Sequence, residues 1–129
     1  MKRPLHRALR RAFGGIIFLF LAVQGQSQQI LDLLSTSPAA AYSLRQLKST
    51  ATKAIQVRRS SDNAVMDIGF TAGGDLNQAA LLSFTGGNDG YVTTWYDQSG
   101  NGRDATQATV TKQPMIVSAG SVKIQNGRP

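Results

Sequence analysis

The chain reads as all-β, a β-sandwich with one short helix near its start, and two observations carry that reading. Apolar stretches are short, rich in β-branched and aromatic residues, and separated by Gly, Asn and Asp clusters. Short strands at close spacing with glycine-rich turns are the pattern of a sandwich. The clearest example is YVTTWY at 91–96, which runs without a break into the polar turn DQSGNG at 97–102. Val, Thr, Trp and Tyr fit a pleated, half-buried segment. Asp, Ser, Asn and Gly supply turn hydrogen bonds and positive φ angles.

In chain order, Lys2, Arg3, Arg7, Arg10 and Arg11 precede an apolar run at 12–23, and Gly25 and Ser27 offer a cleavage site before Gln28. Residues 1–27 are therefore expected to be a secretory signal peptide, and the protein secreted or placed in the cell envelope. The apolar run is about a dozen residues, short of the roughly 20 that a spanning helix needs. The alternative is an uncleaved anchor, so membrane contact is expected only through this segment. Residues 28–38 read as a linker, an apolar patch at 30–34 followed by Ser35-Thr36-Ser37-Pro38. The domain proper is expected over 39–129.

Ser37 suits a helix cap and Pro38 a first helical position. With Ala41, Leu44 and Leu47 at three-residue spacing, 39–47 is expected to be a short helix. A strand follows at 55–59, with Ile55 and Val57 on one face and Gln56 and Arg58 on the other. A second strand is expected at 65–70, then a turn at 71–75. Residues 76–84 suit either a short helix or a buried turn, and the pattern does not choose. A small bridge at 105–108 and a hairpin of 115–118 with 121–124 around Ala119-Gly120 complete the chain.

The net charge is +7, but five of the fourteen basic residues precede Ala12, leaving nine against seven acidic ones, or +2. The basicity belongs to the leader and does not mark a nucleic-acid surface. Cysteine is absent, so no disulfide is expected. His6, the one histidine, lies in the basic start, which leaves none for a metal or for acid–base work. No metal and no cofactor is expected.

The candidate site is the strand end and turn: Trp95, Asp97, Gln98, Ser99 and Asn101, as a substrate-binding or structural loop. As structure, Asp97 and Asn101 bond nearby backbone amides. As a site, an outward aromatic stacks on the C–H face of a sugar. Trp95 and Tyr96 alternate, so one faces in and the other out. Asp97, Ser99, Asn101 and Gly102 match the first half of a calcium loop, but its final acid would fall on Ala108. Glycoside hydrolysis needs two carboxyls flanking the bond, about 5–5.5 Å apart for retention. Asp62, Asp67, Asp97 and Asp104 carry no feature that marks one as nucleophile or acid, so no catalytic residue is assigned.

The run WYDQSGNG at 95–102 resembles the YDQSGNG signature of the α-L-arabinofuranosidase B catalytic domain. AYSLR at 41–45, IQVRRSSD at 55–62, DIGF at 67–70 and LSF at 82–84 are similar to that family's opening region, in the same order. Several ordered blocks are a stronger signal than one short motif. The resemblance implies a concanavalin-like sandwich (jelly roll) and an exported hydrolase that releases terminal L-arabinofuranose from plant-type polysaccharides with retention. It also implies an incomplete domain, because the family's nucleophile is a Glu and all seven acidic residues here are Asp. Fungal members place cysteines near the positions of Phe84 and the YDQSG strand, which this chain lacks. The alternative is a non-catalytic concanavalin-like or laminin-G-like module that binds glycans or mediates adhesion.

Overall fold

The computed structural model describes residues 28–129; the expected signal segment at 1–27 lies outside them. The strands are β1 (Ile55–Arg59), β2 (Val65–Ile68), β3 (Gly90–Trp95), β4 (Ala105–Thr106), β5 (Met115–Ser118) and β6 (Ser121–Val122), and α1 spans Gln78–Thr85 between β2 and β3. All form one six-stranded antiparallel sheet in the order β2-β1-β3-β5-β6. β4 pairs with the far end of β3, on the edge that β5 also uses. The molecule is thus mostly antiparallel sheet, with one α-helix among the described residues.

The alternation expected in β1 holds. Ile55 and Val57 are fully buried and pack with Ile68, Val92, Leu81 and Val117. The same face of β3 is set by a bulge. Val57 pairs with Val92 and Gln56 with Thr94, so Thr93 has no partner across β1. One inserted residue shifts side-chain parity. Val92 and Trp95, three positions apart, therefore both face the core, Trp95 opposite Ile55.

The 76–84 ambiguity resolves as a helix because both ends are capped. The Asn77 side chain accepts from the Ala80 amide at 3.0 Å, and Gly86 adopts φ 55 with its amide on the Leu82 carbonyl. Leu81 and Thr85 bury the inner face of α1. The second strand stops at Ile68, and Phe70 makes an isolated bridge to Leu76.

The helix expected at 39–47 does not form. Its backbone groups bond to distant partners: the Ala41 amide to Asp97, the Gln46 amide to the Gly74 carbonyl, and the Leu47 amide to Gln98. Tertiary hydrogen bonds outweigh a weak local propensity. A 3-10 turn lies earlier, at Ile30–Leu33, tied to the following segment through Leu31 N to Leu47 O at 2.8 Å.

Candidate functional site

The turn after β3 is a densely bonded polar feature among the described residues. Gln98 is 2% exposed. Its backbone amide donates to the Ala41 carbonyl at 2.8 Å. Its side-chain Nε2 donates to the carbonyls of Ser43 and Arg45 at 2.9 and 3.0 Å, and its Oε1 accepts from Leu47 N at 2.7 Å. One side chain therefore replaces the hydrogen bonds that a helix or a paired strand would have given the 41–47 segment. Asn101 Nδ2 donates to the Pro38 and Ala39 carbonyls at 2.9 and 3.2 Å. Lys48 Nζ reaches the Ser99 carbonyl at 3.3 Å.

Asp97 organises the turn itself. Oδ1 accepts from the amides of Ser99 and Ala41, each at 2.8 Å, and Oδ2 accepts from the Ser99 hydroxyl at 2.7 Å and the Arg103 amide at 3.1 Å. Burial pushes this carboxyl up, but the bonds from Ser99, Ala41 and Arg103 outweigh it and hold it well below the usual carboxylate range. Both oxygens are engaged by N–H and O–H donors, so they are poorly disposed to a cation. Among the described residues, no cluster of three or more His, Cys, Asp or Glu could hold a metal. Gly100 and Gly102 take φ 91 and 67, which lets the backbone turn back within this short loop.

Asp97, Gln98, Ser99 and Asn101 thus act on one neighbouring segment, 38–48. Trp95 stands apart from them. It packs on the core and lines two adjoining clefts. One, of about 480 Å³, lies between Val92, Trp95, Ile116 and Lys123. The other, of about 750 Å³, has a more polar rim that includes Ser43, Arg45, Asp75 and Arg128. Tyr96 points away from them. Its hydroxyl donates to Asp67 Oδ1 at 2.6 Å, and Lys53 sits over its ring while holding Asp67 Oδ2 at 2.5 Å. Burial, then the bond to Asp67, raises the Tyr96 hydroxyl to about 12. Burial also pushes Asp67 up, but the bonds from Lys53, Tyr96 and Gln56 leave it below its ordinary value.

The remaining aspartates are committed as well. Asp62 holds Arg59 in a two-point ion pair, and chiefly that bond lowers its carboxyl to about 2. Asp104 accepts the Asp97 amide at 2.9 Å, Asp75 pairs with Arg45 at 3.3 Å, Asp32 accepts Ser49 N and Asp89 accepts Ala119 N. What sequence reasoning missed is the reach of the turn. Bonds to nearby amides were expected, yet the partners lie 51–63 positions away for Gln98 and Asn101.

The family model described as "Alpha-L-arabinofuranosidase B, catalytic" matches residues 30–124. A probable α-L-arabinofuranosidase B from Aspergillus fumigatus is 50% identical over 54 residues, 41% of this chain and 11% of the relative. Its counterpart from Aspergillus terreus is 48% identical over 54 residues, again 11% of the relative. A solved GH54 α-L-arabinofuranosidase soaked with a cyclic sulfate inhibitor is 40% identical, with a TM-score of 0.48, over 54% of this chain and 15% of that one. The matched stretch is thus a small part of each relative. With the family model spanning most of its length, the chain belongs to the α-L-arabinofuranosidase B catalytic family.

Proposed function

We propose that this chain supplies the opening scaffold of an exported arabinofuranosidase B-type glycoside hydrolase with a concanavalin-like jelly roll. In this reading the whole enzyme releases terminal L-arabinofuranose from plant-type polysaccharides, and residues 28–129 contribute structure rather than the reacting carboxyls. One observation carries it: all seven aspartates are engaged by hydrogen-bond donors or cations, and the chain has no glutamate. Retaining hydrolysis needs a free nucleophilic carboxylate and a separate proton donor. Asp97 is held far below the range of a general acid, and its four donors occupy it as a nucleophile.

The test is turnover of a chromogenic arabinofuranoside by the purified chain and by Asp97→Ala. No turnover is expected from either. Turnover by the intact chain that disappears in a still-folded Asp97→Ala variant would make Asp97 catalytic and overturn the proposal. Export is supported by the basic, apolar and small-residue order of the first 27 positions, and the exported product should begin near Gln28. Recovery of an exported product that still carries Lys2 would count against cleavage.

A second reading, a non-catalytic glycan-binding module, draws on the open clefts beside Trp95. Oligosaccharide binding without turnover, lost in Trp95→Ala, would favour it.

A further inference from the structure

We propose that Arg58 is the floor of a carboxylate-binding site on the polar face of the sheet. Arg58 lies mid-sheet in β1, paired with Val65 of β2 and Tyr91 of β3, and is 8% exposed. Its guanidinium stacks over the Tyr91 ring at 5.0 Å. Nε donates to Gln113 Oε1 and Nη1 to Asn63 Oδ1, each at 2.8 Å. Both partners are neutral. Among the described residues, no carboxylate forms an ion pair with Arg58; the pairs present are Arg45–Asp75, Lys53–Asp67 and Arg59–Asp62. Asp89 pairs with Tyr91 and not with Arg58: it accepts from the Tyr91 hydroxyl at 3.5 Å and from the Ala119 amide.

A buried cation without a counter-charge is costly, and buried charges are ordinarily paired. The arrangement also holds the cation rigid. Gln113 is 9% exposed and fixed from behind by its Nε2 bond to the Gln107 carbonyl, which points Oε1 at Arg58. Asn63 reaches Nη1 from a left-handed backbone at φ 59, a conformation Asn tolerates better than most residues. Nη2 has no hydrogen-bond partner among the described residues. Among them, no polar side-chain atom sealed from solvent lacks a partner, so Nη2 keeps contact with solvent. A planar guanidinium, stacked, oriented and with Nη2 still available, suits a planar carboxylate. That carboxylate belongs to an acidic sugar or to an acidic side chain. The site is independent of the hydrolase reading.

The experiment follows thermal unfolding of the full chain at constant ionic strength in sodium chloride, sodium acetate, sodium glucuronate or N-acetyl-aspartate, with glucose as the neutral control. Carboxylates are expected to raise the midpoint above that in chloride, by about 5 °C at tenfold over their dissociation constant. A larger shift with glucuronate than with acetate identifies an acidic sugar; a larger shift with N-acetyl-aspartate identifies a protein side chain. The shift should vanish in Arg58→Gln. Arg58→Lys, which keeps the charge and loses the planar fork, should lose most of it and serves if the first variant does not fold. Equal midpoints in chloride and in every carboxylate, or a shift that survives both substitutions, would overturn the proposal.

Discussion

Gln98→Leu removes one side chain and, with it, the anchorage of a segment some fifty positions away. Leu is close to Gln in size, so the cavity cost is small and the effect isolates hydrogen bonding. Three bonds disappear, those to Leu47 N and to the carbonyls of Ser43 and Arg45. A neutral hydrogen bond contributes about 1 kcal/mol net, and a buried group left unpaired costs about 1–3. Ser43 and Leu47 are only partly buried and Arg45 is exposed, so water replaces part of the loss. The net cost is about 2–3 kcal/mol, or roughly a 30- to 150-fold rise in the open population of this segment. Arg45 and Lys48 lie within it, so brief trypsin treatment reads the opening directly. Where reclosing outpaces cleavage, the rate tracks that population. Cleavage at these two sites should accelerate by that factor in Gln98→Leu, with little change at Lys123. Gln98→Glu should do worse at neutral pH, because a carboxylate would face two carbonyls in a site that is 2% exposed. Unchanged cleavage in both variants would show that the segment is held by packing and refute the tether.

Asp97 gives the fold an acid-sensitive component. Its folded value is depressed, so its stabilisation is fully present above the ordinary carboxylate value, near pH 4, and is lost as pH falls toward the lower folded value. Denaturation midpoints measured below pH 4 should therefore fall less steeply in Asp97→Asn than in the parent chain, and equal slopes would contradict the bonding described. Gly69→Ala should be strongly destabilising, because the added carbon would stand 2.3 Å from the Thr52 carbonyl oxygen, a backbone atom that cannot swing aside. Overpacking of this kind costs about 1–3 kcal/mol or more, read as a lower urea midpoint.

Much of the sheet is decided locally. The alternation in 55–59, the β-branched and aromatic run at 91–96 and the Gly-containing turns fix strand positions through side-chain parity and backbone freedom, which need no distant partner. The turn residues at 97–102 are likewise marked as a turn by their own chemistry. What only the tertiary structure decided is what those residues hold. Residues 39–47 carry a helical spacing, yet Gln98 and Asp97 supply their hydrogen bonds from across the fold, and a spacing rule contains no term for a donor fifty positions away. Which of Trp95 and Tyr96 faces the core was equally hidden. One unpaired residue, Thr93, sets that parity, and a bulge exists only relative to the strand it fails to match. The polar partners of Arg58 come from residues 63 and 113, which meet it only once β1 has paired with β2 and β3, and β3 with β5.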